Sequence, residues 1–107
     1  MKFNDAYDLA VKACKRSNMR QKLGVCLFDS KKYVIGWNRS YGCKTNKRTP
    51  WSIHAEEMAI LKGNRIGIDF SDATMIVLRI NGRISKPCES CQKLIESVGI
   101  KRIYYIG

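Results

Sequence analysis

Ser52-Ile53-His54-Ala55-Glu56-Glu57-Met58-Ala59-Ile60-Leu61 is the stretch on which the reading of this chain turns. Ala55, Met58, Ala59 and Leu61 or Lys62 recur at helical spacing, and Gly63 is a stop signal. The stretch therefore predicts an amphipathic helix whose first turn carries a histidine and a carboxylate. A second helix opens at Pro87-Cys88-Glu89-Ser90-Cys91. Its apolar positions are Leu94, Ile95 and Val98, and Gly99 stands where a C-terminal stop belongs. Each helix thus begins with side chains able to bind a metal.

The physical case for zinc follows from those side chains. Cys88 and Cys91 are three residues apart, so on a helical turn they share one face and can share one ion. A helix N-terminus favours thiolate over thiol. Sulfur and nitrogen ligands suit tetrahedral zinc, and His54 supplies a third ligand. Three protein ligands leave one position open, which is the catalytic arrangement and not the closed structural one. Glu56 can reach over that open position without being a ligand. Taken singly, each residue says less. A lone histidine is more often structural, and Cys-x-x-Cys alone reads equally as a redox pair or half of a structural zinc site.

Length and composition bound the rest. At 107 residues the chain is expected to form one domain, 1–107. No apolar run is long enough to cross a membrane, so no membrane partner is expected. The start Met1-Lys2-Phe3-Asn4-Asp5 lacks the apolar core of an export signal. Five cysteines cannot all pair, so free thiols and metal ligands in the cytoplasm are the expectation. The net charge of +11 attracts phosphates, whether on a nucleotide or on a nucleic-acid backbone.

From Asn4 to Ser17 the pattern is helical, with Phe3, Ala6, Tyr7, Ala10, Ala13 and Cys14 as one stripe. Cys14 belongs to that core stripe. Leu23–Phe28 and Tyr33–Trp37 read as strands joined by the turn Asp29-Ser30-Lys31-Lys32, an antiparallel hairpin with Cys26 buried in it. Asn38 to Pro50 shows no periodicity. It carries Arg39, Lys44, Lys47 and Arg48 without an acid, with Trp37, Tyr41 and Trp51 in or beside it. Basic residues among aromatics can hold phosphate and stack a base, so Trp37, Arg39, Tyr41 and Trp51 are candidate substrate contacts. The plainer alternative is a solvated loop with both tryptophans in the core. Cys43 in this loop reads as a spare thiol, with an extra metal ligand as the lesser alternative. Thr74–Ile80 predicts a buried strand, Asn81-Gly82 a turn, and Arg102–Ile106 a last strand. Helices alternating with strands after a hairpin imply an α/β fold, a mixed sheet with helices on both faces. Ligands gather at helix N-termini beyond the strand ends in such folds.

His54-Ala55-Glu56 followed by Pro87-Cys88-Glu89-Ser90-Cys91 resembles the known signature of the zinc-dependent cytidine and deoxycytidylate deaminase superfamily. The similarity covers nearly the whole chain. The segment from Cys91-Gln92-Lys93-Leu94-Ile95 to Tyr105 resembles deoxycytidylate deaminases, and Gly36-Trp37-Asn38-Arg39 resembles bacterial tRNA adenosine deaminases. The resemblance implies a three-layer α/β/α cytidine-deaminase-like fold around a mixed central sheet. Here the fold would be minimal, because the chain stops after its fourth strand where relatives have a fifth. Arg102–Ile106 would then be an exposed edge, and a homo-oligomer, dimer or higher, would cover it. It implies a zinc cofactor on His54, Cys88 and Cys91, with Glu56 as the proton shuttle. It also implies that the Ala55 backbone N–H holds the base carbonyl and that Asn38 contacts the sugar. Glu57 would face solvent, and Glu89 and Ser90 are further candidates near the leaving amine. The expected activity is hydrolytic conversion of cytosine to uracil in a nucleotide such as deoxycytidylate, a zinc-activated hydroxide attacking C4. One alternative is a polynucleotide deaminase acting on tRNA adenosine or on cytosine in single-stranded DNA or RNA. The other is a zinc-bearing binding module without turnover. Gly36-Trp37-Asn38-Arg39 departs from the Gly-Tyr-Asn-Gly of regulated deoxycytidylate deaminases, so nucleotide allostery is not implied.

Overall fold

The computed structural model describes residues 1–18, 21–41, 51–80 and 89–106. In chain order its elements are α1 (Phe3–Arg16), β1 (Leu23–Phe28), β2 (Tyr33–Trp37), β3 (Arg39–Tyr41), β4 (Trp51–Ile53), α2 (Ala55–Ile66), a 3-10 turn (Phe70–Asp72), β5 (Thr74–Arg79), α3 (Glu89–Val98) and β6 (Arg102–Ile106). The main sheet has four strands in the order β2-β1-β5-β6. β1 pairs antiparallel with both β2 and β5, whereas β5 and β6 are parallel. A parallel pair needs a crossover, and α3 supplies it. The sheet is therefore mixed, as expected, and β6 is an outer strand of it.

Alternation along the two inner strands divides the core into two layers. Val25 and Leu27 of β1 and Met75 and Val77 of β5 meet Ala55, Ala59 and Ile60 of α2 and Ile95 of α3. Cys26, Ile76 and Leu78 point to the other face and meet Ala6, Ala10 and Cys14 of α1. A strand buried on both faces reads as a continuous apolar run, which is why Thr74–Arg79 shows no polar alternation. Val25, Leu27, Met75 and Ile76 are wholly buried, each stabilising the fold by about 1.5–3 kcal/mol.

Glycines set how close the helices lie. A Cβ on Gly24 would stand 2.2 Å from the Ala10 carbonyl oxygen, so α1 rests directly on β1. A Cβ on Gly36 would stand 2.4 Å from the Ala55 carbonyl oxygen and 2.8 Å from the Ala59 nitrogen. The first turn of α2 is thus seated on β2 because residue 36 has no side chain. That contact fixes the height of α2 above the sheet.

Two short polar networks hold the strand ends. Asp29 accepts from the backbone N–H groups of Lys31 (2.7 Å), Lys32 (2.6 Å) and Asp69 (3.0 Å), closing the β1–β2 turn and tying it to the segment after α2. At the opposite end of the sheet Asn38 is buried. Its amide oxygen accepts from the Leu23 N–H at 2.8 Å and from the Ser17 hydroxyl at 2.7 Å, and its amide nitrogen donates to the Gln21 carbonyl at 2.6 Å.

The start of α2 differs from the sequence reading. Ser52 and Ile53 do not open the helix but belong, with Trp51, to a strand paired antiparallel with Arg39–Tyr41. The helix starts at Ala55, with His54 in extended conformation as its N-cap. Backbone pairing to a segment ten residues back outweighs the local helical spacing, which the sequence pattern alone does not reveal.

Candidate active site

β4 ends at Ile53, and the next residue, His54, is exposed at the cap of α2. A histidine there projects from the N-terminal end of the helix, where backbone N–H groups are unsatisfied. Ala55 is wholly buried against Gly36, which orients the first turn. Glu56 follows, 4% exposed, and its Oε1 has no hydrogen-bond partner among the described residues. Burial pushes the Glu56 carboxyl above the ordinary carboxylate range. Its own backbone N–H and the neighbouring His54 offset part of that shift. An unpartnered buried carboxylate oxygen costs on the order of 1–3 kcal/mol. Folding alone has no use for it, whereas proton transfer does.

Cys91 lies buried on α3. α2 and α3 pack on the same layer of the core. Tyr105 of β6 is raised by burial first, then by the charges of Glu56 and Cys91 together. Sequence reasoning does not single out Tyr105. The available signal is the alternation on β6, where Ile103 and Tyr105 pack on the same core layer as α2 and α3.

The candidate ligands are an imidazole and thiols, a donor set that suits zinc. His54 and Cys91 sit at the starts of α2 and α3, and Glu56, in the first turn of α2, brings a buried carboxylate oxygen without a partner among the described residues. These residues fit such a metal. Cys88 lies outside the described residues, as does Cys43. Among the described residues alone, no three His, Cys, Asp or Glu side chains form a metal-sized group.

The expected substrate contacts divide. Asn38 has its amide committed to Ser17, Gln21 and Leu23, so it acts here as a clamp between α1 and the start of β1. Trp37 is half-buried at the end of β2, and its backbone N–H donates to the Met58 sulfur at 3.4 Å. The Lys62 ammonium lies 4.1 Å from the Trp37 ring centroid, and the Arg16 guanidinium carbon 5.2 Å from it. Arg39 opens β3 and is exposed. Tyr41 and Trp51 end up paired across the β3–β4 ladder, which brackets residues 42–50. Lys44, Lys47 and Arg48 fall in that span, outside the described residues. Cys14 and Cys26 are core thiols, pushed by burial up to about 11 and about 12.

Comparison with known proteins gives the family and the fold. The family model for the cytidine and deoxycytidylate deaminase zinc-binding region matches residues 2–107. Cytidine deaminase from Burkholderia pseudomallei superposes with a TM-score of 0.73 at 17% identity, covering 92% of this chain and 78% of that one. The dCMP deaminase from the cyanophage S-TIM5 gives 0.67 at 22% identity, covering 97% and 83%. Cytidine deaminase from Mycobacterium tuberculosis gives 0.69 at 14% identity, covering 96% and 82%. The cyanophage enzyme is also known in complex with dCMP and dUMP. A search of curated protein sequences finds no match.

Proposed function

The chain belongs to the cytidine and deoxycytidylate deaminase zinc-binding family, and on that footing we propose that it is a zinc-dependent hydrolytic deaminase converting cytosine to uracil in a nucleotide. The observation that carries this is Glu56: a carboxylate buried beside the cap of α2, with an oxygen left unpartnered among the described residues.

His54, Cys88 and Cys91 would hold zinc, whose Lewis acidity makes water nucleophilic near neutral pH. Glu56 accepts a proton from that water and passes it to N3 of the base while the water oxygen bonds to C4. It then carries the second proton to the amino group, the C4–N bond breaks, and ammonia leaves with uracil as the other product. A carboxyl held above its ordinary range by burial suits both halves of that task, since it must accept and return a proton. The Ala55 N–H, in the first turn of α2, would hold the base carbonyl. The cyanophage relative's dCMP and dUMP complexes support a pyrimidine nucleotide as substrate. We place the enzyme in the cytoplasm, and as a homo-oligomer in which a second copy covers the outer strand β6. No helix among the described residues is long and apolar enough to cross a membrane.

The test is ammonia release from cytidine, deoxycytidine and their monophosphates by the zinc-loaded protein. Turnover that a chelator abolishes and zinc restores supports the reading. Zinc-loaded protein that releases no ammonia from any cytosine substrate overturns it.

A further inference from the structure

A groove of about 330 Å³ lies on the outer side of α2, at the free edge of β2. Trp37, Arg39, Ile53, Met58, Lys62 and Arg65 line it. Its α2 residues, Met58, Lys62 and Arg65, are not those that pack on the core with α3, and it reaches Ile53, the residue before His54. Its electrostatics are one-sided. Lys62 and Arg16 both crowd the ring of Trp37. Among the described residues, no carboxylate pairs with Arg16, Lys62 or Arg65. Lys62 donates to the Ile35 carbonyl at 3.0 Å, which anchors the ammonium at the groove wall. Burial and then the charge of Arg16 pull Lys62 below the ordinary lysine range, so the charge acting on this cation is another cation. Like charges gathered around one ring, with no acid paired to them among the described residues, are relieved by an anion.

We propose that this groove binds the backbone phosphates of single-stranded nucleic acid, with the strand passing the N-terminus of α2. The inference rests on the deaminase reading and deepens it: the reacting nucleotide would be one unit of that strand. A free mononucleotide carries its one phosphate group into the catalytic pocket. Cations laid along α2 serve a substrate that extends beyond the reacting base. The net charge of +11 favours the same partner at long range.

The test is fluorescence anisotropy of a short labelled oligodeoxycytidylate across a salt series, with the zinc-loaded protein carrying Glu56→Gln to prevent turnover. Adding Arg16→Gln and Arg65→Gln should weaken binding and reduce the slope of log affinity against log salt by about 1.4, that is about 0.7 per lost contact. Arg16→Lys with Arg65→Lys should restore the slope, which separates lost charge from lost fold. Lys31→Gln with Lys101→Gln removes the same charge elsewhere and should leave the slope unchanged. An unchanged slope in the arginine variant, or an equal loss in the lysine control, overturns the groove. So does displacement of the strand by inorganic phosphate at equal phosphate concentration, because one phosphate would then suffice. Binding is read without turnover. A failure here therefore leaves the deaminase reading intact, and a failure of ammonia release leaves the groove standing.

Discussion

Asp29 and Glu56 are two buried carboxylates at opposite ends of the same sheet, and their surroundings differ in one respect. Asp29 accepts from three backbone N–H groups, and those bonds hold its carboxyl below the ordinary range. Glu56 has an oxygen with no partner among the described residues, and burial holds its carboxyl above that range. Burial is common to both, so burial is not what marks a functional acid. Satisfaction is. A carboxylate whose lone pairs are filled by backbone closes a turn. One that is buried with an oxygen left unfilled costs stability, and so points to chemistry.

The contrast can be broken most directly at Glu56. Glu56→Gln should lower ammonia release by about a hundred- to ten-thousand-fold while the zinc-loaded protein stays folded by circular dichroism. Asp29→Asn should leave turnover per folded molecule at the wild-type value. Should Glu56→Gln retain turnover, or Asp29→Asn abolish it, the distinction between the two carboxylates is lost.

Next in size is the seat of α2. Gly36→Ala forces a methyl group against the Ala55 carbonyl and the Ala59 nitrogen. It should cost about 1–3 kcal/mol in urea denaturation and reduce turnover too, because Glu56 rides on the same turn.

A smaller effect is expected at Asp29 itself. Its carboxyl titrates below the ordinary value, so its stabilisation is present above pH about 4 and is lost as pH falls through the folded value. Asp29→Asn should lower stability at neutral pH by about 1–2 kcal/mol. It should also flatten the acid limb of a Tm-against-pH curve. The smallest effect is none. With thiols pushed up to about 11 and about 12, Cys14 and Cys26 should resist alkylation at mildly alkaline pH until the protein is unfolded. Rapid labelling of either in the native protein, read by peptide mass, would show the α1 layer to be looser than its packing implies.

Much of the fold is legible in the pattern of residues. β1, β2 and β6 fall where the patterns of Leu23–Phe28, Tyr33–Trp37 and Arg102–Ile106 put them, and β5 ends one residue earlier than expected. α1 is offset by a single residue. α1 has a helical stripe, and the strands are apolar runs bounded by turn residues, so local composition suffices. The β3–β4 ladder is not legible, because three-residue strands have no period and exist through their partner. Asn38 shows the same limit at the level of a side chain. The resemblance assigns it to a sugar, but which atoms its amide reaches depends on where α1 ends and β1 begins.

Residue type and spacing carry the chemistry on offer: a histidine and a carboxylate at one helix start, two cysteines at another, and a surplus of positive charge. These belong to the chain whatever shape it takes. Packing buries Glu56 with one oxygen unpartnered among the described residues, sets Tyr105 within reach of the charges of Glu56 and Cys91, and brings Arg16 and Lys62 to one tryptophan ring. Desolvation and charge coupling arise between residues far apart in the chain, and the folded arrangement sets their distances.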